Sequence, residues 1–282
     1  MNPVRIAELL EPFLRVPGSV GGESTLLGPD GSEGPDPCRC HSEPAKTGEE
    51  PAALSPVQLQ RISTYIDILV RWNVRINLTA IRDPEDIVAR HFGESLFAAR
   101  HLFPDAPAGT TAHGRPERIP MGSPDERTSA ALRLADIGSG AGFPGLAIKL
   151  WAPHIALALI ESNHKKAAFL REVTRSLTLT DVDVQNTRAE TISANRFDIV
   201  TLRAVEHFES ILPIAAALVA SPGRLALLIG ASQQDQARAS LRQFTWSPPV
   251  QVPRSRARIL LIGHRQPDSA ETERSTSLVH TP

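Results

Sequence analysis

Cysteine is scarce in this chain. Its only two, Cys38 and Cys40, stand too close together to staple a core, and a chain built this way is expected in a reducing cytoplasm. Long apolar runs are missing as well: none approaches the roughly 18 residues that a membrane-spanning helix needs. The amino-terminal stretch MNPVRIAELLEPFLRV carries Glu8 and Glu11 inside its apolar pattern and has no small-residue cleavage site. It predicts a short amphipathic helix and not a signal peptide. A zinc site is not expected either. Cys38-Arg39-Cys40-His41 has C-x-C spacing and no second ligand pair, where zinc sites use C-x₂₋₄-C with partners elsewhere.

Net charge is also close to absent, at −1 over 282 residues, which by itself argues against a nucleic-acid partner. The average hides an asymmetry. Residues 17–50 hold seven acids and two bases, a net of −5, which leaves 28 bases against 24 acids, a net of +4, for the remainder. That mild basic excess is compatible with RNA.

The chain does have a composition able to build a core, 41% apolar and 22% charged. Three stretches, 17–53, 104–129 and 266–282, are rich in Gly, Pro, Ser and Glu or lack apolar periodicity, and are expected to be disordered. After the helix expected within 1–16, the folded part therefore falls into 54–103 and 130–265. The first piece is helical: Leu59, Ile62, Ile66, Leu69 and Val70 recur at helical spacing behind a Ser55-Pro56 start. A second helix, opening at Asp83-Pro84-Glu85, would carry Ile87, Val88, Phe92, Leu96 and Phe97. The second piece alternates short apolar runs, at 132–137, 155–160, 182–185, 197–202, 224–229 and 257–262, with helical patterns. Such alternation implies parallel βαβ units in a doubly wound α/β sheet, which binds ligands at the carboxyl ends of its strands.

Between the first strand and the first helix of that sheet, GSGAGFPG packs four glycines into eight residues. The pattern G-x-G-x-x-G, over 140–145, admits a dinucleotide, a methyl-donor nucleoside or a mere tight turn. Glu161 follows about 20 residues later at the end of the next strand, where an acid accepts hydrogen bonds from both hydroxyls of a ribose. Asp136, two residues before Gly138, gives D-x-G-x-G: a carboxylate there would receive the cationic amine of a methionine tail and repel a pyrophosphate. Clustering of Gly138, Gly140 and Gly142, with Pro144 next, supplies a close-packed floor and favours S-adenosylmethionine.

ADIGSGAGFPGLAIKL, LIESNHKKAAFLREV, TRAE and FDIVTLRAV occur in that order, preceded by YIDILVRWNVRINLTAIRDPEDIVARHFGESL. Together they resemble the bacterial 16S ribosomal RNA guanine-N7 methyltransferase family, also called glucose-inhibited division protein B, over roughly 54–103 and 130–262. The resemblance implies a Rossmann-like class I methyltransferase sheet with helices on both faces and a helical amino-terminal extension. It implies S-adenosylmethionine as cofactor and the small-subunit ribosomal RNA as partner. A monomer is expected, with no membrane or metal partner. Backbone at Gly138 and Gly140 would approach the methionine, Phe143 would pack on the ligand, and Glu161 with Ser162 would hold the ribose. Ala189 and Glu190 would lie beside the adenine, and Arg203, after FDIVTL, beside the cofactor.

Guanine N7 has a lone pair and no proton to lose, so no general base is assigned and positioning with electrostatics would carry the reaction. RNA contacts are expected from Arg90 and His91, Lys165 and Lys166, and Arg188, against a base unstacked from its neighbours. Trp72, Asn73 and Asn77 are expected to lock the first helix onto the core. The chain departs from the family at Ile229-Gly230 and Gly263-His264, where strands usually end in lysine. Two other readings stay open. An NAD(P)-dependent oxidoreductase would need a Tyr/Lys or His proton donor, and the single tyrosine, Tyr65, lies in the first helix. A non-catalytic protein would bind S-adenosylmethionine or RNA without turnover.

Overall fold

The computed structural model describes residues 1–15, 53–104, 106, 131–203 and 207–266. The expected acidic and Pro/Gly-rich inserts, apart from their edge residues, the Cys38–His41 cluster and the tail beyond Gln266 lie outside the described residues.

Four helical segments come first. Helix α1, Pro3–Leu14, starts on the Asn2 side chain, which accepts from the amide of Val4, and buries Ile6, Leu10 and Phe13. Helix α2, Pro56–Ile76, opens with a capping box in which Ser55 and Gln58 satisfy each other's amides. It ends on Asn77 in the left-handed region at φ 48. Helix α3, Pro84–Asp86, is capped by Asp83 as its Asp-Pro start implies, and it runs on through a π-helical turn, Ile87–Gly93, into α4, Glu94–Leu102. The apolar periodicity that marks this second helix gave no warning of the widened turn.

The sheet then alternates with helices as its sequence requires: β1 (Arg133–Ile137), α5 (Gly145–Trp151), β2 (Ala156–Ile160), α6 (His164–Ser176), β3 (Val182–Gln185), β4 (Phe197–Arg203), α7 (Phe208–Leu218) and β5 (Val219–Gly230). After α8 (Gln234–Ser240) come β6 (Phe244–Trp246), β7 (Val250–Gln251) and β8 (Arg258–Arg265). The order is β3-β2-β1-β4-β5-β8-β6, with β7 also on β8. Strands β1 to β5 are parallel, while β8 is antiparallel to β5, β6 and β7. The apolar run at 257–262 carries no signature of that reversal, and β6 and β7 are too short to show a period. Chain order reverses between β1 and β4, so a crevice opens at the carboxyl ends of these strands.

The helical extension is not a separate body. Ile6, Tyr65, Phe92 and Phe97 belong to one buried cluster with Leu134, Leu146, Trp151 and Phe169 of the α/β part, on one face of the sheet. Trp72 meets Phe169 at 5.9 Å between ring centres, and Asn73 holds both the amide and the carbonyl of Thr79, so these residues do lock α2 and its following turn onto the core. A second cluster, with Val200, Leu212 and Leu227, fills the other face. Packing accounts for the residues at two of the positions where the chain departs from the expected strand-end lysines: Ile229 is buried, and a Cβ on Gly263 would stand 2.8 Å from the Trp246 ring.

Candidate functional site

The glycine loop leaves β1 at its carboxyl end and bends three times through backbone that favours glycine, with φ +64 at Gly138, +55 at Gly140 and +85 at Gly142. At Gly142 space is as restrictive as the dihedral: a Cβ there would lie 2.2 Å from the Tyr65 hydroxyl. That hydroxyl donates to the carbonyl of Ala141 at 2.5 Å. Tyr65 is fully buried and thereby fixes the loop from the helical extension; it is not placed to act as the proton donor of an oxidoreductase.

Two carboxylates fix the loop from the sheet side. Glu161, at the end of β2 and 6% exposed, accepts from the amide of Gly140 at 2.8 Å through one oxygen and from the amide of Asn163 at 2.8 Å through the other. Each oxygen keeps a lone pair, and Glu161 lines a cleft of about 480 Å³. Gly138, Ser162, Lys166, Arg188, Ala189 and Glu190 share that cleft with apolar walls from Ile137, Ile160 and Ile211. Its size suits a small organic ligand. Asn186 ties its two sides, donating to the carbonyls of Glu161 and Ser162. A cavity of the same volume at the opposite end of the sheet is lined by Leu132, Asp198, Arg224 and His264. It lies at the amino ends of the parallel strands, away from the crevice where doubly wound sheets bind ligands.

Asp136 differs from its expected part. Its carboxylate turns inward, accepting from the amide of Gly145 (3.1 Å) and the hydroxyl of Thr201 (2.9 Å), and only 1% of the residue is exposed. Burial raises its pKa to about 6 against the opposing hydrogen bond of Thr201. It pins the loop to β4 and is not held out towards a ligand amine. The reason is local: Gly145 packs so closely that a Cβ would meet Asp136 at 2.8 Å, so its bare backbone brings an amide donor to the carboxylate within the fold.

Phe143 also departs from expectation, because its ring is buried among other side chains of the fold. Tyr65 stacks with it at 5.3 Å and 4°, His91 at 4.9 Å and 17°, and Phe92 meets it edge-on at 4.9 Å. The π-helical turn presents the carbonyl of Arg90 to Nη2 of Arg203 (2.6 Å), which also donates to Oε2 of Glu94 (3.0 Å) and lies 3.2 Å from Nδ1 of His91. A guanidinium has only donors, so Nδ1 accepts and Nε2 carries the ring proton, donated to Thr79 Oγ1 at 2.8 Å. His91 is thus neutral, its pKa lowered to about 3 by burial and then by Arg203, Arg90 and Arg258. With both nitrogens engaged, His91 supports Arg203 and is not free to meet RNA as anticipated.

Arg203 is almost wholly enclosed, its guanidinium 6.0 Å from the Phe143 ring centre and its Nε buried without a partner. Glu94, 4% exposed, is shared with Arg258 at 3.4 Å. Sequence reasoning missed Glu94 and Arg258. The available signal was that Glu94 is the sole acid between 87 and 102, in a helix whose apolar residues surround it. It also missed His207, Ser210 and Ile211, which line the cleft from the start of α7. Of the expected RNA contacts, Arg90, Lys165 and Arg188 are exposed and Lys166 is half-buried at the cleft rim.

Among the described residues no helix is long and apolar enough to cross a membrane, and no group of three or more His, Cys, Asp or Glu gathers as for a metal. A family model described as rRNA small subunit methyltransferase G matches residues 58–107 and 124–258. The chain is 35% identical over 221 residues to ribosomal RNA small subunit methyltransferase G of Chloroflexus aggregans, covering 74% of this chain and 82% of that protein. It is 36% identical over 217 residues to the protein of the same name from a Roseiflexus species, with coverages of 73% and 82%. Among solved structures it is similar to a ribosomal protein L11 methylase from Lactobacillus delbrueckii subsp. bulgaricus, at 14% identity and a TM-score of 0.45, over 63% of this chain and 80% of that one.

Proposed function

The chain belongs to the rRNA small subunit methyltransferase G family, and on that premise we propose that it methylates N7 of a guanine in 16S ribosomal RNA with S-adenosylmethionine as methyl donor. One observation carries the reading: a buried carboxylate, Glu161, anchors the glycine loop and at the same time lines the cleft at the switch point of the sheet.

The residues fit the donor. Glu161 retains a lone pair on each oxygen for two ribose hydroxyls, Gly138 offers backbone without a side chain, and Ile137, Ile160, Ile211 and the buried Ala189 form apolar walls for a purine. Ser162 and Glu190 supply polar groups at the ribose and adenine ends. S-Adenosylmethionine, when bound, supplies the electrophilic methyl group. Gly140 and Asp136 hold the loop, from Glu161 and Gly145 respectively, so the chain's part is rigid placement. Arg203, desolvated over Phe143 and oriented by Glu94, is a cation fixed on the other side of that loop, able to stabilise charge or a phosphate near the acceptor base. N7 has no proton to remove, so no general base is required of the chain. Lys166 and Arg188 at the rim, with Arg90 and Lys165, would meet RNA phosphates. We read the protein as a cytoplasmic monomer.

The test incubates the protein with methyl-labelled S-adenosylmethionine and small ribosomal subunits lacking the native modification, followed by digestion to nucleosides. Label is expected in 7-methylguanosine and is expected to vanish in Gly138→Asp. Label in another nucleoside refutes the target, and cofactor binding without transfer to subunits or naked RNA refutes catalysis.

A further inference from the structure

The loop between β7 and β8, with the first residue of β8, reads Val252-Pro253-Arg254-Ser255-Arg256-Ala257-Arg258, and of its arginines only Arg258 has a part in the site described above. It is tightly built. Gln251 donates through its side-chain amide to the carbonyls of Ser255 (2.7 Å) and Arg258 (2.8 Å), and the Ser255 hydroxyl accepts from the amide of Arg258 at 3.1 Å. The amide of Val252 closes the base on the carbonyl of Arg258, and the carbonyl of Ala257 accepts from the amide of Ala231 beyond β5. Arg254 sits within this frame at φ 58, a left-handed conformation that a β-carbon disfavours. A loop this constrained presents its side chains from fixed positions.

Its place in the fold matters as much. Arg258 pairs in register with Gly230 at the carboxyl end of β5, so the loop emerges at the same end of the sheet as the glycine loop and Arg203. One carboxylate, Glu94, lies between Arg258 and Arg203. Arg90, on the π-helical turn, belongs to the same neighbourhood, for its carbonyl accepts from Nη2 of Arg203 at 2.6 Å. The acid facing Arg254 is Glu85, and Arg5 already grips both of its oxygens at 2.8 and 2.9 Å. Arg90, Arg254 and Arg256 are exposed and enter none of the ion pairs among the described residues. With Glu85 taken up by Arg5, the remaining acids Asp83, Asp86 and Glu94 are outnumbered by Arg90, Arg203, Arg254, Arg256 and Arg258, so positive charge is in excess here, on a rigid support at the same end of the sheet as the glycine loop.

We propose that Arg254 and Arg256, with Arg90, form a docking site for the phosphodiester backbone of the RNA substrate, which holds the strand on the acceptor side of the loop. The proposal rests on the reading of the protein as an RNA methyltransferase. Guanidinium groups pair with phosphate oxygens bidentately, and a preorganised loop loses little entropy in doing so.

The test measures binding of naked 16S ribosomal RNA, and separately of small subunits, to the full chain across a salt series without cofactor. In Arg254→Ala/Arg256→Ala, affinity for naked RNA is expected to fall and the slope of log K against log salt to shrink by about 1.4 to 2, for two lost phosphate contacts. Affinity for S-adenosylmethionine, read by calorimetry, is expected to stay unchanged. Arg254→Lys/Arg256→Lys should recover the slope. An unchanged slope overturns the proposal, as does an equal loss in Arg196→Ala/Arg242→Ala, which removes two exposed arginines elsewhere. Weakened subunit binding with naked RNA unaffected also overturns it, and points to a ribosomal protein instead. If the unaltered chain binds neither naked RNA nor subunits, the methyltransferase reading itself has failed; if it methylates RNA while the slope is unmoved, only the docking site has.

Discussion

The two sides of the glycine loop are built by different physics. On the cleft side, Gly138, Gly140, Glu161, Ser162 and Ala189 belong to turns that directly follow β1, β2 and β3, and the bonds that set them are backbone amides to a carboxylate. On the other side, Phe143, Arg203, Glu94, His91 and Tyr65 come from four distant parts of the chain and hold one another by side chains. The first side is a local consequence of strand-turn-helix geometry. The second exists only because the helical extension packs on the sheet, so the extension builds that side of the loop and does not merely decorate the domain.

Removing Glu94 should break that second side hardest. Glu94→Leu leaves Arg203 enclosed with its one carboxylate gone and Arg258 unpaired beside it. Loss of one partner from a buried pair costs about 3 to 5 kcal/mol, and a chemical denaturation series should show a midpoint lowered accordingly. Cofactor affinity should suffer far less than methyl transfer, since the cleft residues are untouched. Equal losses in both would mean that the two sides are one cooperative unit.

The joint between them is Gly142. Gly142→Ala places a methyl group at φ +85 and 2.2 Å from the Tyr65 hydroxyl, so strain adds to overlap, at about 1 to 3 kcal/mol for the backbone alone. Calorimetry should show weakened cofactor binding. Tyr65→Phe in the same chain removes the overlapping oxygen along with its bond to Ala141. It should return part of the lost affinity although Tyr65→Phe alone, at about 1 kcal/mol, is destabilising. Purely additive losses would show that the ring and not the hydroxyl sets the loop.

What was legible in the sequence follows the same division. The six strands that carry a strong apolar run were readable, as were the Ser55 and Asp83 caps, because each depends on neighbours in the chain. Glu161 was readable from its spacing after the glycines and Ser162 from the family resemblance, and they line the cleft with Gly138. Asp136 was placed correctly at the strand end, but its direction was not, since that depends on Thr201 from a different strand and on the bare Cα of Gly145. The family resemblance implies Phe143 against the ligand, and the basic residues of the second helix imply His91 against RNA. Only packing of the helical extension shows that they stack on each other. The π-helical turn left no mark, because the same apolar residues serve either helical pitch.

A pH series separates the two sides most finely, because their buried titratable groups pull stability in opposite directions. Asp136 anchors the loop with a pKa raised to about 6, so between about 4 and 6 the folded chain holds its proton more tightly than the unfolded one. Its contribution is full below the unfolded value and is lost as pH rises through 6. His91, under Arg203, has a pKa lowered to about 3, so the unfolded chain takes up the proton first as pH falls below 6.5. Its contribution is full above 6.5 and is lost as pH falls. Between pH 4 and 6 each group alone changes stability by about 1.4 kcal/mol per pH unit, with opposite sign. The pair therefore nearly cancels in the unaltered chain. In Asp136→Asn the falling component disappears, so unfolding free energy should climb more steeply with pH across this window than in the parent. In His91→Gln the rising component disappears and the dependence should tilt the other way. If both variants instead keep the parent's pH dependence, neither group titrates apart from its unfolded value, and the inward turn of Asp136 and the neutral His91 beneath Arg203 are both wrong.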